Sequence, residues 1–285
     1  MKNRSLMVQG TGSGVGKSVI VAGLVRLFAR QGIKVAPFKA QNMSCNSGIT
    51  EGGEEIALAQ ILQAQAAFQK PDSRMNPIFL KPQGNGKSEI IIRGKTWAMG
   101  KVSSYYQDKE FFWEVIKESL DSLGEEYDLL ILEGAGSPAE INLRGKDMAN
   151  MKVALYLQSP VMVVGDIERG GVFASLYGTW ALAKEERELI RAFIINKFRG
   201  DAEILKPGLR EIEELTKVPV VGVLPYVSLS LVEEDSLLEK PGGKDCFSCS
   251  GGDFSLGEVD QELDWWSKIL KRHLNIKKIE EMIGL

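Results

Sequence analysis

Residues 9–18 read Gln9-Gly10-Thr11-Gly12-Ser13-Gly14-Val15-Gly16-Lys17-Ser18. A short apolar run, Leu6-Met7-Val8, precedes this stretch, and an apolar-periodic segment, Val19 to Arg30, follows it. This pattern predicts a strand, a glycine-rich turn and a helix, in that order. The alternating glycines let backbone N–H groups point at a bound anion, and the helix N-terminus adds its positive dipole end. Lys17 can then reach the β- and γ-phosphates of a nucleotide, and the Ser18 hydroxyl can ligate Mg²⁺.

The stretch departs from the strict phosphate-loop pattern G-x-x-x-x-G-K-[ST] at one position. Thr11 stands where that pattern has its first glycine, and Gly10 lies one place early. The dinucleotide pattern G-x-G-x-x-G fails in every register, so a nucleoside triphosphate is favoured over NAD. A glycine-rich turn without a ligand is the alternative, but Gly16-Lys17-Ser18 between a strand and a helix argues against it. The predicted nucleotide-binding residues of this stretch are Thr11, Gly12, Ser13, Gly14, Val15, Gly16, Lys17 and Ser18.

Composition and charge exclude several classes of protein. The net charge is -3, which gives no bulk electrostatic reason to expect a nucleic-acid partner. No apolar run approaches the ~20 residues of a membrane span, and the first predicted strand begins too early to leave room for a signal peptide. Three cysteines without a secretory signal indicate a reducing compartment. We therefore predict a cytoplasmic protein with no membrane or nucleic-acid partner.

Apolar runs and helix-periodic segments alternate along the rest of the chain. Buried strands are predicted at Lys34–Phe38, Asp128–Leu132, Val161–Gly165, Ala192–Ile195 and Val218–Pro225, with a shorter strand at Glu89–Arg93. Helices are predicted at Glu54–Gln69 and Phe111–Leu123, and a final amphipathic helix or helix pair at Glu262–Ile283. This order predicts an α/β fold of the P-loop NTPase type, with a doubly wound, mostly parallel sheet and a short C-terminal helical tail. We expect the P-loop domain over residues 1–236, a Gly/Ser-rich linker over 237–259 and the helical segment over 260–285.

Polar residues follow the predicted strands, at the edge of the sheet where their carboxyl ends meet. Glu133 ends one strand, Asp166 ends the next, and Asn196-Lys197 end a third. In a P-loop protein an acidic residue at a strand end suits the magnesium side of the nucleotide, and a merely polar strand terminus is the alternative for Glu133. The polar loop 41–47 suits ligand contact or a solvated turn equally well. The glutamines of the helix predicted at Glu54–Gln69, namely Gln60, Gln63 and Gln65, are either surface or site residues, and a surface position is the better default.

Six strings of sequence resemble the cobyric acid synthase family, the ATP-dependent amidotransferases of cobalamin biosynthesis. The strings are Val8-Gln9-Gly10-Thr11, Ala36-Pro37-Phe38-Lys39, Gln41-Asn42-Met43, Glu133 to Leu143, Asp166 to Phe173 and Ile195 to Asp201. They occur in order and at family-like spacing over about residues 5–236, which is the synthetase half of that family. This half is also similar to dethiobiotin synthetase, which shares the shifted glycine of the phosphate loop.

The resemblance implies a role for individual residues. ATP and Mg²⁺ are the implied cofactors, with Ser18, Glu55 and Glu133 near the metal. The implied catalytic residues are Lys17, Lys39, Glu133 and Asp166, and Asn196 and Lys197 join the nucleotide-binding set, Asn196 at the adenine. A corrinoid is the implied substrate, and the residues expected to bind it are Gln41, Asn42, Ser137, Glu140, Asn142 and Arg169.

The implied reaction is amidation of the b, d, e and g side-chain carboxylates of adenosylcobyrinic acid a,c-diamide through acyl phosphates. Family members normally continue into a glutaminase domain with a cysteine nucleophile and a distant His-x-Glu, but His273 is followed by Leu274-Asn275. We therefore expect ammonia or a separate glutaminase subunit to supply the nitrogen. A natural deletion, a split gene or a fragment would each explain a chain that matches only the synthetase half.

Three further questions stay open at the level of sequence. The pair Cys246 and Cys249 is a lone C-x-x-C, for which free thiols are a better interpretation than a metal site. A homodimer is possible. The alternative functions are a nucleotide-switch ATPase that binds a partner, although Gly12 replaces the second lysine usual there, and a degenerate homologue without turnover.

Overall fold

The computed structural model describes residues 4–84, 86–101, 108–229 and 256–285. The strands are β1 (Arg4–Gly10), β2 (Val35–Phe38), β3 (Gln41–Met43), β4 (Ser47–Ile49), β5 (Glu55–Ala57), β6 (Ile78–Pro82), β7 (Lys87–Ile92), β8 (Lys95–Lys101), β9 (Leu129–Glu133), β10 (Val161–Asp166), β11 (Ile190–Phe198) and β12 (Val220–Pro225). The helices are α1 (Lys17–Arg30), α2 (Leu58–Ala66), α3 (Lys109–Glu126), α4 (Met151–Leu157), α5 (Val172–Leu182), α6 (Ala202–Thr216), α7 (Leu256–His273) and α8 (Ile276–Ile283).

A six-stranded sheet with the order β12-β11-β10-β1-β9-β2 forms the centre of the molecule, and its neighbouring strands are all parallel. β1 lies between β10 and β9, so the chain builds outward on both sides of it, which is the doubly wound arrangement. In such a sheet ligands bind in the crevice beyond the carboxyl ends of the strands. The predicted fold class is therefore confirmed, including the helices at the C-terminus.

The central sheet is buried on both faces because its strands are apolar nearly throughout. Side chains alternate between the faces, so Leu6 and Val8 pack with α1 while Met7 packs in the cluster that contains α3 and α4 residues. The helices cover the strands as βα crossovers require. Glu133, in register with Val8, consequently points to the same side of the sheet as α1.

A smaller sheet, with the order β3-β6-β7-β8, and the two-stranded ribbon β4-β5 lie between β2 and α3 in the chain. The helix predicted over Glu54–Gln69 begins only at Leu58, so the prediction is wrong for residues 54–57. Gly53, at a φ of 81°, forms a turn that returns the chain along β4, and β5 pairs there in the antiparallel direction. Residues 55–57 are therefore extended and form backbone hydrogen bonds with β4, which a helix at this position could not form.

The C-terminal helices α7 and α8 are docked on the flank of α1 and the edge of the sheet. Leu263, Trp266 and Leu270 are buried, and the Trp266 indole N–H donates to the Val19 carbonyl at 2.6 Å. A Cβ on Gly23 would lie 2.5 Å from a Leu270 methyl and 2.7 Å from the Trp266 ring, so glycine permits this close approach. No helix of the described residues is both long and apolar enough to cross a bilayer.

The predicted domain division is only partly visible. Most of the proposed linker at 237–259, including Cys246 and Cys249, lies outside the described residues. The final helical segment begins at Leu256 rather than at residue 260.

Candidate functional site

The glycine-rich stretch forms a loop between β1 and α1 that curls around the Lys17 side chain. The Lys17 ammonium donates to the Gly12 carbonyl at 2.9 Å, and the lysine is 5% exposed. Gly16 is in the left-handed region, at a φ of 97°, and a Cβ there would meet the Asn196 amide nitrogen at 2.3 Å. The first turn of α1 contains no acidic residue. The helix N-terminus therefore presents its N–H groups and positive dipole end to an anion.

The end of β11 holds the loop from its other side. Asn196 is 5% exposed and donates its side-chain amide to the Val15 carbonyl at 2.9 Å. Lys197 donates to the Gly14 carbonyl at 2.7 Å and pairs with Asp166 at 2.9 Å. Asp166 also accepts the backbone N–H of Glu168 within its own turn. These predicted residues thus meet at the loop, brought there by the adjacent strands β10 and β11.

Glu133 is the centre of a buried polar cluster at the end of β9, and its side chain is fully buried. Its Oε1 accepts from the Ser18 hydroxyl at 2.8 Å and from the Lys39 ammonium at 2.8 Å. Its Oε2 accepts from the Gln63 amide at 2.6 Å. Three residues predicted separately from sequence, namely Ser18, Lys39 and Glu133, therefore lie in direct contact.

Gln60 and Gln63 belong to the candidate site, although the sequence favoured a surface position for them. Both are fully buried, so the expectation of a surface position is wrong for them, whereas Gln65 is only partly buried. Their spacing of three residues places them on one face of α2 with Ala59 and Ala64, which are also buried. That shared face was the available signal.

The predicted substrate-binding residues are spread over two regions. Asn42 is buried in β3 and donates to the Gln60 side chain at 2.9 Å, while its neighbour Gln41 is partly exposed. Ser137 and Glu140 line a cavity of about 630 Å³ between the loop after β9 and the start of α4. Asn142 and Arg169 are exposed and lie outside the lining of this cavity.

The cavity beside Ser137 also contains two carboxyl groups with perturbed titration. Burial raises the pKa of Asp147, although the backbone N–H groups of Ala149, Asn150 and Met151 donate to it and oppose the shift. Burial raises the pKa of Glu186 as well, and the charge of Asp147 adds to that effect. Arg144, Lys152 and Lys184 line the same cavity, so its wall carries groups of both charges.

Glu55 is held at a separate position from the cluster around Glu133. Its carboxylate pairs with Lys81 at 2.7 Å and accepts the Ser47 hydroxyl at 2.5 Å. Burial favours the neutral acid, but the hydrogen bonds from Lys81 and Ser47, together with the charge of Lys81, lower the pKa of Glu55 below its ordinary value. Its predicted place near a metal stays a prediction.

The donor set at the phosphate loop fits a magnesium ion bound together with a nucleotide. Mg²⁺ takes hard oxygen ligands, usually one or two carboxylates with phosphate oxygens and water. The Ser18 hydroxyl and the Glu133 carboxylate supply such oxygens beside the helix N-terminus. Within the described part of the chain no three His, Cys, Asp or Glu side chains gather into an all-protein metal cage. Ser18 and Glu133 would therefore hold the ion jointly with the nucleotide.

The phosphate loop, the parallel sheet and the strand-end carboxylate define a P-loop nucleotide-binding domain. The chain belongs to the family described as CobQ/CobB/MinD/ParA nucleotide binding domain, which it matches over residues 6–237. It is 56% identical over 239 residues to a cobyric acid synthase of Desulforudis audaxviator, covering 83% of this chain and 48% of that protein. It is 52% identical over 241 residues to the cobyric acid synthase of Yersinia enterocolitica, covering 84% of this chain and 47% of that protein.

The chain spans about half the length of these curated relatives, and the match corresponds to the synthetase half alone. Among solved structures, MinD of Aquifex aeolicus aligns at a TM-score of 0.45 and 16% identity, covering 94% of this chain and 97% of that one. The identity to the two cobyric acid synthases and the family match confirm the resemblance predicted from the six strings of sequence.

Proposed function

We propose that this chain is an ATP-dependent amidoligase that converts side-chain carboxylates of a corrinoid into amides in cobalamin biosynthesis. The observation that carries the proposal is the buried contact of Glu133 with Ser18 and Lys39 beside the phosphate loop. This cluster supports a metal-binding role for Glu133 and a role for Lys39 beside the helix proposed to receive the triphosphate. The relatives named cobyric acid synthase support the substrate class.

The chemistry needs an activated acyl donor because a free carboxylate would have to expel oxide. A substrate carboxylate oxygen attacks the γ-phosphorus of ATP, the bond to the β-phosphate oxygen breaks, and an acyl phosphate and ADP result. Ammonia then attacks the acyl carbon, phosphate leaves, and the nitrogen loses a proton to give the amide. The b, d, e and g carboxylates of adenosylcobyrinic acid a,c-diamide are the proposed acceptors.

Each residue of the cluster has a defined task in this proposal. Lys17 neutralises charge on the β- and γ-phosphates. Ser18 and Glu133 hold Mg²⁺, which neutralises phosphate charge when bound. Lys39 orients the substrate carboxylate or the transferring phosphoryl group, and Asn196 meets the adenine while it keeps the loop closed.

Ammonia is the proposed nitrogen source for this chain by itself. Glutamine hydrolysis needs an activated thiolate with a general base in reach. In the part of the chain that the structure describes, Cys45 follows β3 near one edge of the central sheet, whereas His273 packs against Gly222 of β12 at the opposite edge. These two residues do not form a nucleophile and base pair. A separate glutaminase subunit is the proposed alternative supplier of nitrogen.

The test is amide formation from corrinoid and Mg·ATP with either ammonium or glutamine, followed by mass spectrometry. We expect ammonium-dependent product that rises between about pH 7 and 9, since free NH₃ is the nucleophile, and no product with glutamine. The Lys17→Ala variant, purified in parallel, controls for contaminating enzymes. Absence of product with ammonium would overturn the amidoligase proposal, and efficient use of glutamine would overturn the proposal about nitrogen.

A further inference from the structure

Three buried carboxamides form a chain of hydrogen bonds that ends on Glu133. Asn42 donates to the Gln60 carbonyl oxygen at 2.9 Å, and Gln60 donates to the Gln63 carbonyl oxygen at 3.4 Å. Gln63 donates to Glu133 Oε2 at 2.6 Å and to the Ser18 backbone carbonyl at 3.3 Å. Every bond in this carboxamide chain points the same way, from β3 across α2 to the end of β9.

The direction of the carboxamide chain is fixed by its last member. A carboxylate only accepts hydrogen bonds, so Gln63 must turn its NH₂ group toward Glu133 and its carbonyl toward Gln60. Gln60 must then donate to Gln63 and accept from Asn42. Reversing any one amide would place two donors or two acceptors against each other among buried side chains. Asn42 is 2% exposed and both glutamines are fully buried. In this orientation each hydrogen bond of the chain joins a donor to an acceptor.

The two oxygens of Glu133 have different surroundings as a result. Oε1 accepts hydrogen bonds from Ser18 and Lys39, both of which the proposed reaction uses, and Oε2 accepts the hydrogen bond from Gln63. Gln63 also contacts the backbone of Ser18, so one amide spans the two proposed metal-binding residues. Its position is suited to fixing the rotation of the carboxylate and its distance from the start of α1.

We propose that Gln63 is a positioning residue, which with Gln60 and Asn42 behind it holds Glu133 in the orientation that receives the divalent cation of the nucleotide. The inference rests on the proposed function, because it assigns the cation to Ser18 and Glu133. Outer partners of metal-binding carboxylates commonly change metal affinity about 10- to 100-fold when they are removed. The effect should weaken along the chain, in the order Gln63, Gln60, Asn42.

The experiment measures binding of a fluorescent ATP analogue by the full chain, first in EDTA and then as Mg²⁺ is titrated. Gln63→Leu removes the donor at similar volume, and Gln65→Leu is the matched control because Gln65 lies on the same helix and is partly exposed. We expect Gln63→Leu to bind the analogue in EDTA within about twofold of the wild type and to need about tenfold more Mg²⁺ for half-saturation. Gln65→Leu should match the wild type in both measurements.

Gln60→Leu is the second variant and decides the question if Gln63→Leu does not fold. It leaves Glu133 untouched but removes the donor that orients Gln63, so we expect about a threefold increase in the Mg²⁺ needed for half-saturation. Thermal melts of each variant report on folding.

The outcomes separate the inference from the proposed function. If the wild type binds the analogue with no dependence on Mg²⁺, the proposed function fails and this inference fails with it. If the wild type needs Mg²⁺ but the Gln63 and Gln60 variants have its half-saturation, the inference alone is overturned. Equal loss of binding in EDTA and in Mg²⁺ would show a merely structural role for Gln63 and would also overturn it.

Discussion

The N-terminus of α1 and the flank of the same helix are held in place by different sets of contacts. At the N-terminus, Lys17 and Ser18 contact a backbone carbonyl and the buried Glu133 carboxylate. Along the flank, Trp266 and Leu270 of α7 pack so closely on Gly23 that no side chain fits there. The N-terminus of α1 is thus organised by polar groups that suit a ligand, whereas its flank combines close apolar packing with ion pairs from the buried Arg26 to Asp260 and Asp264 of α7.

The difference separates the contacts that mainly stabilise the fold from the contacts that suit ligand binding and chemistry. Burying Trp266 and Leu270 removes apolar surface from water, which stabilises the fold without need of a ligand. Burying Lys39 with Glu133 carries a desolvation cost that their attraction offsets only in part. We therefore expect changes on the flank to reduce stability mainly, and changes at the N-terminus to reduce binding and turnover mainly.

Lys17→Ala should give the largest effect on function. The γ-phosphate would lose its cation in a water-poor site, so we expect turnover to fall on the order of a thousand-fold, about 4 kcal/mol in activation free energy. Ammonium-dependent amidation with saturating Mg·ATP is the measurement. Lys268→Ala, at an exposed position of α7, should have the rate of the wild type. Equal rates for the two variants would remove Lys17 from the proposed mechanism.

Trp266→Ala should give the largest effect on stability. The indole is 1% exposed and donates to Val19, so its loss leaves a cavity and an unmatched contact along α1. We expect the free energy of unfolding to fall by about 4 kcal/mol in urea denaturation. The neighbouring Trp265 is 45% exposed, and Trp265→Ala should cost less than about 1 kcal/mol. Similar losses for both variants would contradict the described docking of α7.

Glu133→Gln, alone and combined with a change at Lys39, tests whether the buried Lys39–Glu133 ion pair is less stabilising than uncharged side chains would be. The substitution removes the negative charge beside the Lys39 ammonium, which is 4% exposed, and should cost about 3 kcal/mol of unfolding free energy. Lys39→Met combined with Glu133→Gln should recover about 1 kcal/mol or more of that loss, because neither charge then remains. A double-mutant cycle by urea denaturation measures the coupling. Strictly additive single effects would show that the pair does not interact.

The sequence predicted the fold and the phosphate loop well because both depend on local patterns. Strand, turn and helix follow one another within residues 6–30, and the parallel strands are continuous apolar runs. Glu133 was found because it directly follows such a run. Gln60 and Gln63 were expected on the surface because glutamine is usually exposed, and their burial results from the packing of α2 against α1 and β2. The start of α2 was misplaced for a similar reason, since residues 55–57 pair with β4.

Contacts between distant residues also pair two of the predicted site residues with side chains that the sequence did not indicate. Asn42 was predicted to contact substrate, yet it is buried against Gln60. Glu55 was predicted beside the metal, yet its carboxylate pairs with Lys81. In both residues the chemical type was recognised from the sequence, and the partner was decided by the tertiary structure.

The smallest expected effect concerns Glu55 and its pairing with Lys81. The folded-state pKa of Glu55 lies below its ordinary value of 4.5, so the ionised form is stabilised by folding. This stabilisation is complete above about pH 4.5 and disappears as the pH falls through the lowered pKa. We expect Glu55→Gln to cost less than about 1 kcal/mol near pH 7, with a difference from the wild type that shrinks on acidification. Urea denaturation across this range is the measurement, and Glu51→Gln, which breaks the exposed pair with Lys70, is the control.

The Glu55→Gln variant also decides the metal assignment that the sequence alone suggested. If the carboxylate serves Lys81, the variant should need the same Mg²⁺ concentration as the wild type for half-saturation of nucleotide binding. If it serves the metal, the requirement should rise about tenfold, as for a lost ligand or its partner. A rise of that size, together with a pH-independent stability difference, would return Glu55 to the metal site and would mean that Lys81 yields the carboxylate when the nucleotide binds. An unchanged Mg²⁺ concentration for half-saturation would leave Ser18 and Glu133 as the proposed protein ligands of the metal. The proposed metal site would then be limited to residues next to the N-terminus of α1.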